Sequence, residues 1–175
     1  VSGVMLTLLL TSVLVSISFI SLSRTQPLEG DWIVTGAEVV ENKTVELNGN
    51  LTVRGGGSLT LINVTLVIKS SYKDEYGILA ESGSFLAIYN STIMPANDNY
   101  TFTFTVRGAE FVMEYSKVRG VGGAPDQGLL IEDANNAVIK GNTIYHKDVT
   151  GVSIHRSQNA SIANNVFTGI HRWFG

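Results

Sequence analysis

The sequence predicts an all-β protein wound as a parallel solenoid, and three observations carry that reading. An eight-residue motif recurs at a near-constant interval. Apolar residues fall at the same motif positions each time. No segment after residue 30 carries the 3.6-residue apolar stripe of an amphipathic helix.

The motifs are LTLINVTL (59–66), LAIYNSTI (86–93), FVMEYSKV (111–118), AVIKGNTI (137–144) and ASIANNVF (160–167). They start at 59, 86, 111, 137 and 160, so the intervals are 27, 25, 26 and 23 residues. Position one reads Leu59, Leu86, Phe111, Ala137 and Ala160. Position three reads Leu61, Ile88, Met113, Ile139 and Ile162, and position eight reads Leu66, Ile93, Val118, Ile144 and Phe167. Positions one and three share a strand face. Position eight returns inward after an odd number of steps, so the chain must turn a corner between them. Asn63, Asn90, Asn142, Asn164 and Asn165 sit at that corner. Asn tolerates left-handed backbone and bonds its own main chain, and stacked Asn side chains bond one another.

A second strand precedes most motifs: GILAE (77–81), GLLIE (128–132) and GVSIH (151–155), with the alternating TFTFTV (101–106) in the same place. Each period thus holds strand, corner, strand and loop, which makes one coil. VELNGNLTVRGGGS (45–58) reads as an incomplete first coil. Residues 24–44, with Trp32, are expected to form a linker and a cap on the N-terminal end, since an open end exposes unpaired strand edges. The solenoid domain is therefore expected over 45–175, and Gly169-Ile170 reads as the start of a coil that continues beyond Gly175.

Residues 1–23, VSGVMLTLLLTSVLVSISFISLS, carry no charge. The run just reaches the roughly 20 residues needed to cross a bilayer. Two main readings stand, a cleaved export signal with Ser21-Leu22-Ser23 as the small-residue site or a retained anchor, beside the plainer one of a buried core helix. The two main readings put the remainder at the cell surface or outside the cell, and the membrane is touched only through 1–23. Six Asn-x-Ser/Thr sequons, at Asn42, Asn50, Asn63, Asn90, Asn99 and Asn159, fit that location as glycosylation candidates.

Composition excludes several classes. Apolar residues make up 44% of 175, enough for a core. The net charge of −3 and the lack of a basic block argue against nucleic acid. The absence of cysteine rules out disulfides and cysteine zinc sites. No pattern sets the oligomeric state.

The G-I-x-I strand, as in Gly151-Val152-Ser153-Ile154, and the motif SIANNVF resemble those of the right-handed parallel β-helix families, which include pectin-lyase-like folds and NosD-type surface proteins. GNLTVRGGGSLTLINVTL (49–66) is similar to the first coil of secreted archaeal β-helix proteins. The resemblance covers roughly 45–170. It implies a single-stranded right-handed parallel β-helix of about five to six coils. The general hand of parallel crossovers agrees.

Catalytic members of that superfamily gather Asp residues on adjacent coils, with a calcium ion or a Gly-His-Gly signature. No Asp pair on one strand and no Gly-His-Gly stands here. Aligning Phe104 and Val106 with Ile78/Ala80 and Leu129/Ile131 stacks Glu81, Arg107, Glu132 and His155, with Asp133 beside Arg156. The ordinary reading is a surface salt-bridge ladder. The sharper one is an acid–base pair of Glu132 and His155. His146, His155 and His171 follow no ligand spacing, so no metal site is expected. Asn97-Asp98-Asn99 offers oxygens for weakly held calcium, set against a plain polar turn.

Longer loops separate each motif from the next strand: KSSYKDEY (69–76), MPANDNY (94–100), RGVGGAPDQ (119–127) and YHKDVT (145–150). Occupying one place in every coil, they line one edge, and repeat proteins often bind there. Tyr72, Tyr76, Tyr100 and Tyr145 would stack on sugar rings, while Asn97, Asn99 and Gln127 would bond their hydroxyls. The expected function is a secreted or cell-surface protein with a structural, adhesive or carbohydrate-binding role and no cofactor. The alternative is a polysaccharide lyase or glycoside hydrolase whose active site lies in further coils.

Overall fold

The computed structural model describes residues 29–123, 128–145 and 151–169. The uncharged leader of residues 1–23 lies outside them. Among the described residues there is no helix; the strands wind as a parallel β-solenoid.

Each coil contributes three strands. The first coil holds β1 (Trp32–Val34), β2 (Ala37–Glu41) and β3 (Thr44–Leu47), and the second β4 (Leu51–Val53), β5 (Ser58–Ile62) and β6 (Thr65–Ile68). The third holds β7 (Gly77–Ala80), β8 (Phe85–Tyr89) and β9 (Thr92–Pro95), and the fourth β10 (Thr103–Arg107), β11 (Glu110–Glu114) and β12 (Lys117–Arg119). The fifth holds β13 (Leu129–Glu132), β14 (Val138–Lys140) and β15 (Thr143–Tyr145), and the sixth β16 (Val152–His155), β17 (Ser161–Ala163) and β18 (Val166–Thr168). The strands stack into three six-stranded parallel sheets: the first strands of the coils form one, the second strands another, the third strands the last.

The apolar columns stack in the expected register. Leu59 pairs with Leu86 and Leu86 with Phe111, while Leu61, Ile88, Met113, Ile139 and Ile162 follow one another. Leu66, Ile93, Val118, Ile144 and Phe167 form the third column. From the second coil to the fifth these side chains are buried, each contributing about 1.5–3 kcal/mol against exposure. Ile162 and Phe167 on the sixth coil remain partly exposed. Phe104 and Phe111 meet edge to face at 5.9 Å, joining the first sheet to the second across the core.

The solenoid begins a coil earlier than the sequence indicates. Residues 32–47, expected mostly as linker and cap, already form β1 to β3. This coil is hard to read because Glu38 stands in the column of Leu59. Its carboxylate accepts a hydrogen bond from the Trp32 indole N–H at 3.2 Å, so a charged residue occupies a core column with a partner. Trp32 itself is buried and pairs with Leu51, as a member of the first rung.

The corner between second and third strands is the same in every coil. Motif position five has positive φ throughout: Asn42, Asn63, Asn90, Tyr115, Gly141 and Asn164. Its N–H donates to the next coil, as from Asn63 to the carbonyl of Tyr89 and from Asn90 to that of Glu114, so the ladder runs through the bend. From the third coil on, position six is polar and turned inward: Ser91, Ser116, Asn142 and Asn165. The N–H of Val64 donates to Ser91 Oγ at 3.0 Å, and that of Ser91 to Ser116 Oγ at 3.1 Å. Those of Ser116 and Asn142 donate in turn to Asn142 Oδ1 at 2.8 Å and Asn165 Oδ1 at 2.9 Å. Asn side chains bond one another where they stack, Asn63 with Asn42 at 2.8 Å and Asn142 with Asn165 at 3.0 Å, and serines continue the inner ladder between them.

Candidate functional site

The edge between third and first strands carries the long loops. A cleft of about 630 Å³ opens there, lined by Lys73, Pro95, Asp98, Asn99, Thr101, Arg119, Gly120 and Tyr145. The lining comes from the ends of four consecutive coils, so the stacking of coils sets their loops side by side. Tyr145 ends β15 and is 45% exposed. Gly120 has φ 75°, and a Cβ there would stand 2.7 Å from the Pro95 ring, so glycine lets these two lining residues pack closely.

Asp74 braces this edge. It adopts φ 58°, and its N–H donates to the carbonyl of Thr101 at 2.8 Å. Its Oδ1 accepts from Thr101 Oγ1 at 2.6 Å and its Oδ2 from the N–H of Gly123 at 3.2 Å. One carboxylate therefore holds three successive loops. Arg119 donates to Asp98 Oδ2 at 3.2 Å and reaches the Met94 sulfur at 3.6 Å.

Of the residues singled out from sequence, Tyr145 and Asn99 line the cleft. Tyr72 is well exposed on the same edge but outside the lining, while Tyr76 is half-buried against the core. Burial, followed by the charge of Glu75, raises the Tyr76 hydroxyl above its ordinary pKa. Tyr100 is half-buried beside the lining residue Thr101. Asn97 Oδ1 accepts the N–H of Asn99 at 3.0 Å, closing a polar turn, and Asp98 pairs with Arg119. The 97–99 turn therefore has its carboxylate and one amide oxygen engaged within the protein. Among the described residues no group of three or more His, Asp or Glu could hold a metal ion. Gln127, His146 and His171 lie outside the described residues. Lys73, Thr101 and Arg119 were not singled out from sequence, and Asp98 only as a weak calcium ligand, although all but Thr101 fall in the named loops. Their convergence depends on loop paths that no periodicity encodes.

The charged column stands on a different corner, between first and second strands. Register places Arg107 against Glu132 and Glu132 against His155. Glu132 Oε2 accepts from Arg107 Nε at 2.8 Å, and its Oε1 from Arg156 Nη2 at 2.6 Å. Arg156 Nε also reaches Asp133 Oδ1 at 2.9 Å, the pairing expected from sequence. Arg107 first, then Arg156, hold the Glu132 carboxyl below its ordinary pKa, and Arg156 does the same for Asp133. His155 is a neighbour of Glu132 in register, but both carboxylate oxygens are taken by arginine. A carboxyl stabilised in its charged form is a poor proton donor near neutrality, so the geometry supports an ion-paired corner.

Comparison with known proteins adds one finding. A family model described as a right handed beta helix region matches residues 29–172. No curated protein and no solved structure matches.

Proposed function

The chain belongs to the right-handed β-helix family, and from that premise we propose that it is an exported surface protein that binds carbohydrate, without catalysis, in the cleft on its loop edge. The observation that carries this reading is the cleft itself: an exposed tyrosine ring set among amide, hydroxyl and charged groups from four successive coils. A sugar ring offers an apolar face to an aromatic and hydroxyls to polar groups, which matches Tyr145 beside Asn99, Thr101 and Lys73. Cleft volumes in this range suit small ligands. The uncharged leader and the sequons support export.

A glycan array with the full chain tests the reading. Tyr145→Ala should weaken binding by about 1 kcal/mol, roughly fivefold. Thermal unfolding of the variant should stay close to wild type. No binding to any glycan, or binding indifferent to Tyr145 and lost on substituting Glu132 and His155, overturns it. Release of unsaturated or reducing sugar ends would favour the enzymatic alternative.

A further inference from the structure

The six sequons fall in different structural settings, and three of them form one feature. Asn42, Asn63 and Asn90 occupy the same corner position of the first, second and third coils. All three are exposed with positive φ. The hydroxyl residues that complete these sequons, Thr44, Thr65 and Thr92, open β3, β6 and β9 and pair with one another. Asn63 Nδ2 donates to Asn42 Oδ1 at 2.8 Å, so the first two amides of the ridge stack.

The fold alone does not demand this combination. The same corner in the fourth, fifth and sixth coils carries Tyr115, Gly141 and Asn164, with Lys117, Thr143 and Val166 in the place of the threonines. Those coils turn equally well with no sequon. Asn with Thr two residues on is confined to three consecutive coils.

Asn50 is the contrast. It is half-buried, its Nδ2 donates to Asp31 Oδ1 at 3.0 Å, and its Oδ1 accepts the N–H of Gly77 at 3.0 Å. Its amide is a structural tie between coils.

We infer that Asn42, Asn63 and Asn90 are glycan acceptors forming one modified ridge, on a corner separate from the ligand cleft. This rests on the reading that the chain is exported. In the transfer, the Asn amide nitrogen attacks the anomeric carbon of a lipid-phosphate-linked oligosaccharide. A C–N bond forms, the C–O bond to phosphate breaks, the lipid phosphate leaves with the electron pair, and the amide proton passes to a base of the transferring enzyme.

The test expresses the full chain in a eukaryotic host behind an added secretory leader and maps glycopeptides of the folded secreted protein by mass spectrometry. Glycan on the three ridge peptides with Asn50 bare is the expected result. Thr65→Val should remove the glycan from Asn63 alone while leaving the corner Asn in place. Bare ridge peptides in secreted protein, or glycan on Asn50 in the folded fraction, overturns the inference. A parallel arm follows the chain with only its own first residues. Cytosolic retention there counts against export, while the leader arm still decides the ridge.

Discussion

The side chain of Asn142 accepts the backbone N–H of Ser116, 2.8 Å away on the preceding coil, and donates to the carbonyl of Met113 at 2.8 Å. Both bonds lie inside the corner, where water cannot replace them. Asn142→Ala would leave a buried donor and a buried acceptor without partners. Each such group costs about 1–3 kcal/mol, so chemical denaturation should show a loss of about 2 kcal/mol or more. A change below about 0.5 kcal/mol would mean that water or repacking serves the ladder instead.

Most of this corner was legible in the sequence. Strict alternation in Leu59-Leu61 and Leu86-Ile88 identified the inner face, and Asn63 and Asn90 announced the bend. Tyr115 did not, because tyrosine has no preference for positive φ; its place follows only from the register of its neighbours. The first coil was missed because Glu38 breaks the apolar column, and its indole partner Trp32 lies on a different strand. The cleft was legible as an edge but not as a set of residues. Pairings such as Arg119 with Asp98 join loops of different coils, and loop conformation leaves no periodic trace.

Gly141 carries the cost of Tyr115. A Cβ at Gly141 would stand 2.7 Å from Cδ1 of the Tyr115 ring, and φ there is 67°. Gly141→Ala combines a clash with left-handed strain, so a loss of about 1–3 kcal/mol is expected on unfolding. The double variant Tyr115→Asn/Gly141→Ala should lose less, since the clash is removed and only the strain remains. Equal losses in the two proteins would show that the ring is not the obstacle.

Glu132 and Asp133 make the fold sensitive to acid. Their carboxyls are held below ordinary values by Arg107 and Arg156, so folding favours the charged forms. The resulting stability is present above the unfolded-state carboxyl pKa and is lost as pH falls through the lowered folded value. Thermal midpoints of wild type and Glu132→Gln should therefore differ at neutral pH and converge between roughly pH 5 and pH 3. A difference that persists undiminished below that range would assign the effect to packing.

Thr101 tests whether the cleft is braced from beneath. Its hydroxyl donates to Asp74 Oδ1 at 2.6 Å, while Asp74 Oδ2 accepts the N–H of Gly123. Thr101→Val keeps the shape and the branched strand-forming side chain but removes the donor. A half-buried carboxylate that loses this bond draws in water and holds its remaining partner less firmly. The Gly123 N–H donates to that carboxylate, so its hydrogen exchange should quicken by about tenfold, while amides of β8 and β11 exchange as before. Binding to any glycan taken up by the wild type should weaken with it, because Lys73, next to Asp74 in the chain, and Thr101 both line the cleft. Unchanged exchange at Gly123 would show that the loops hold their arrangement without Asp74.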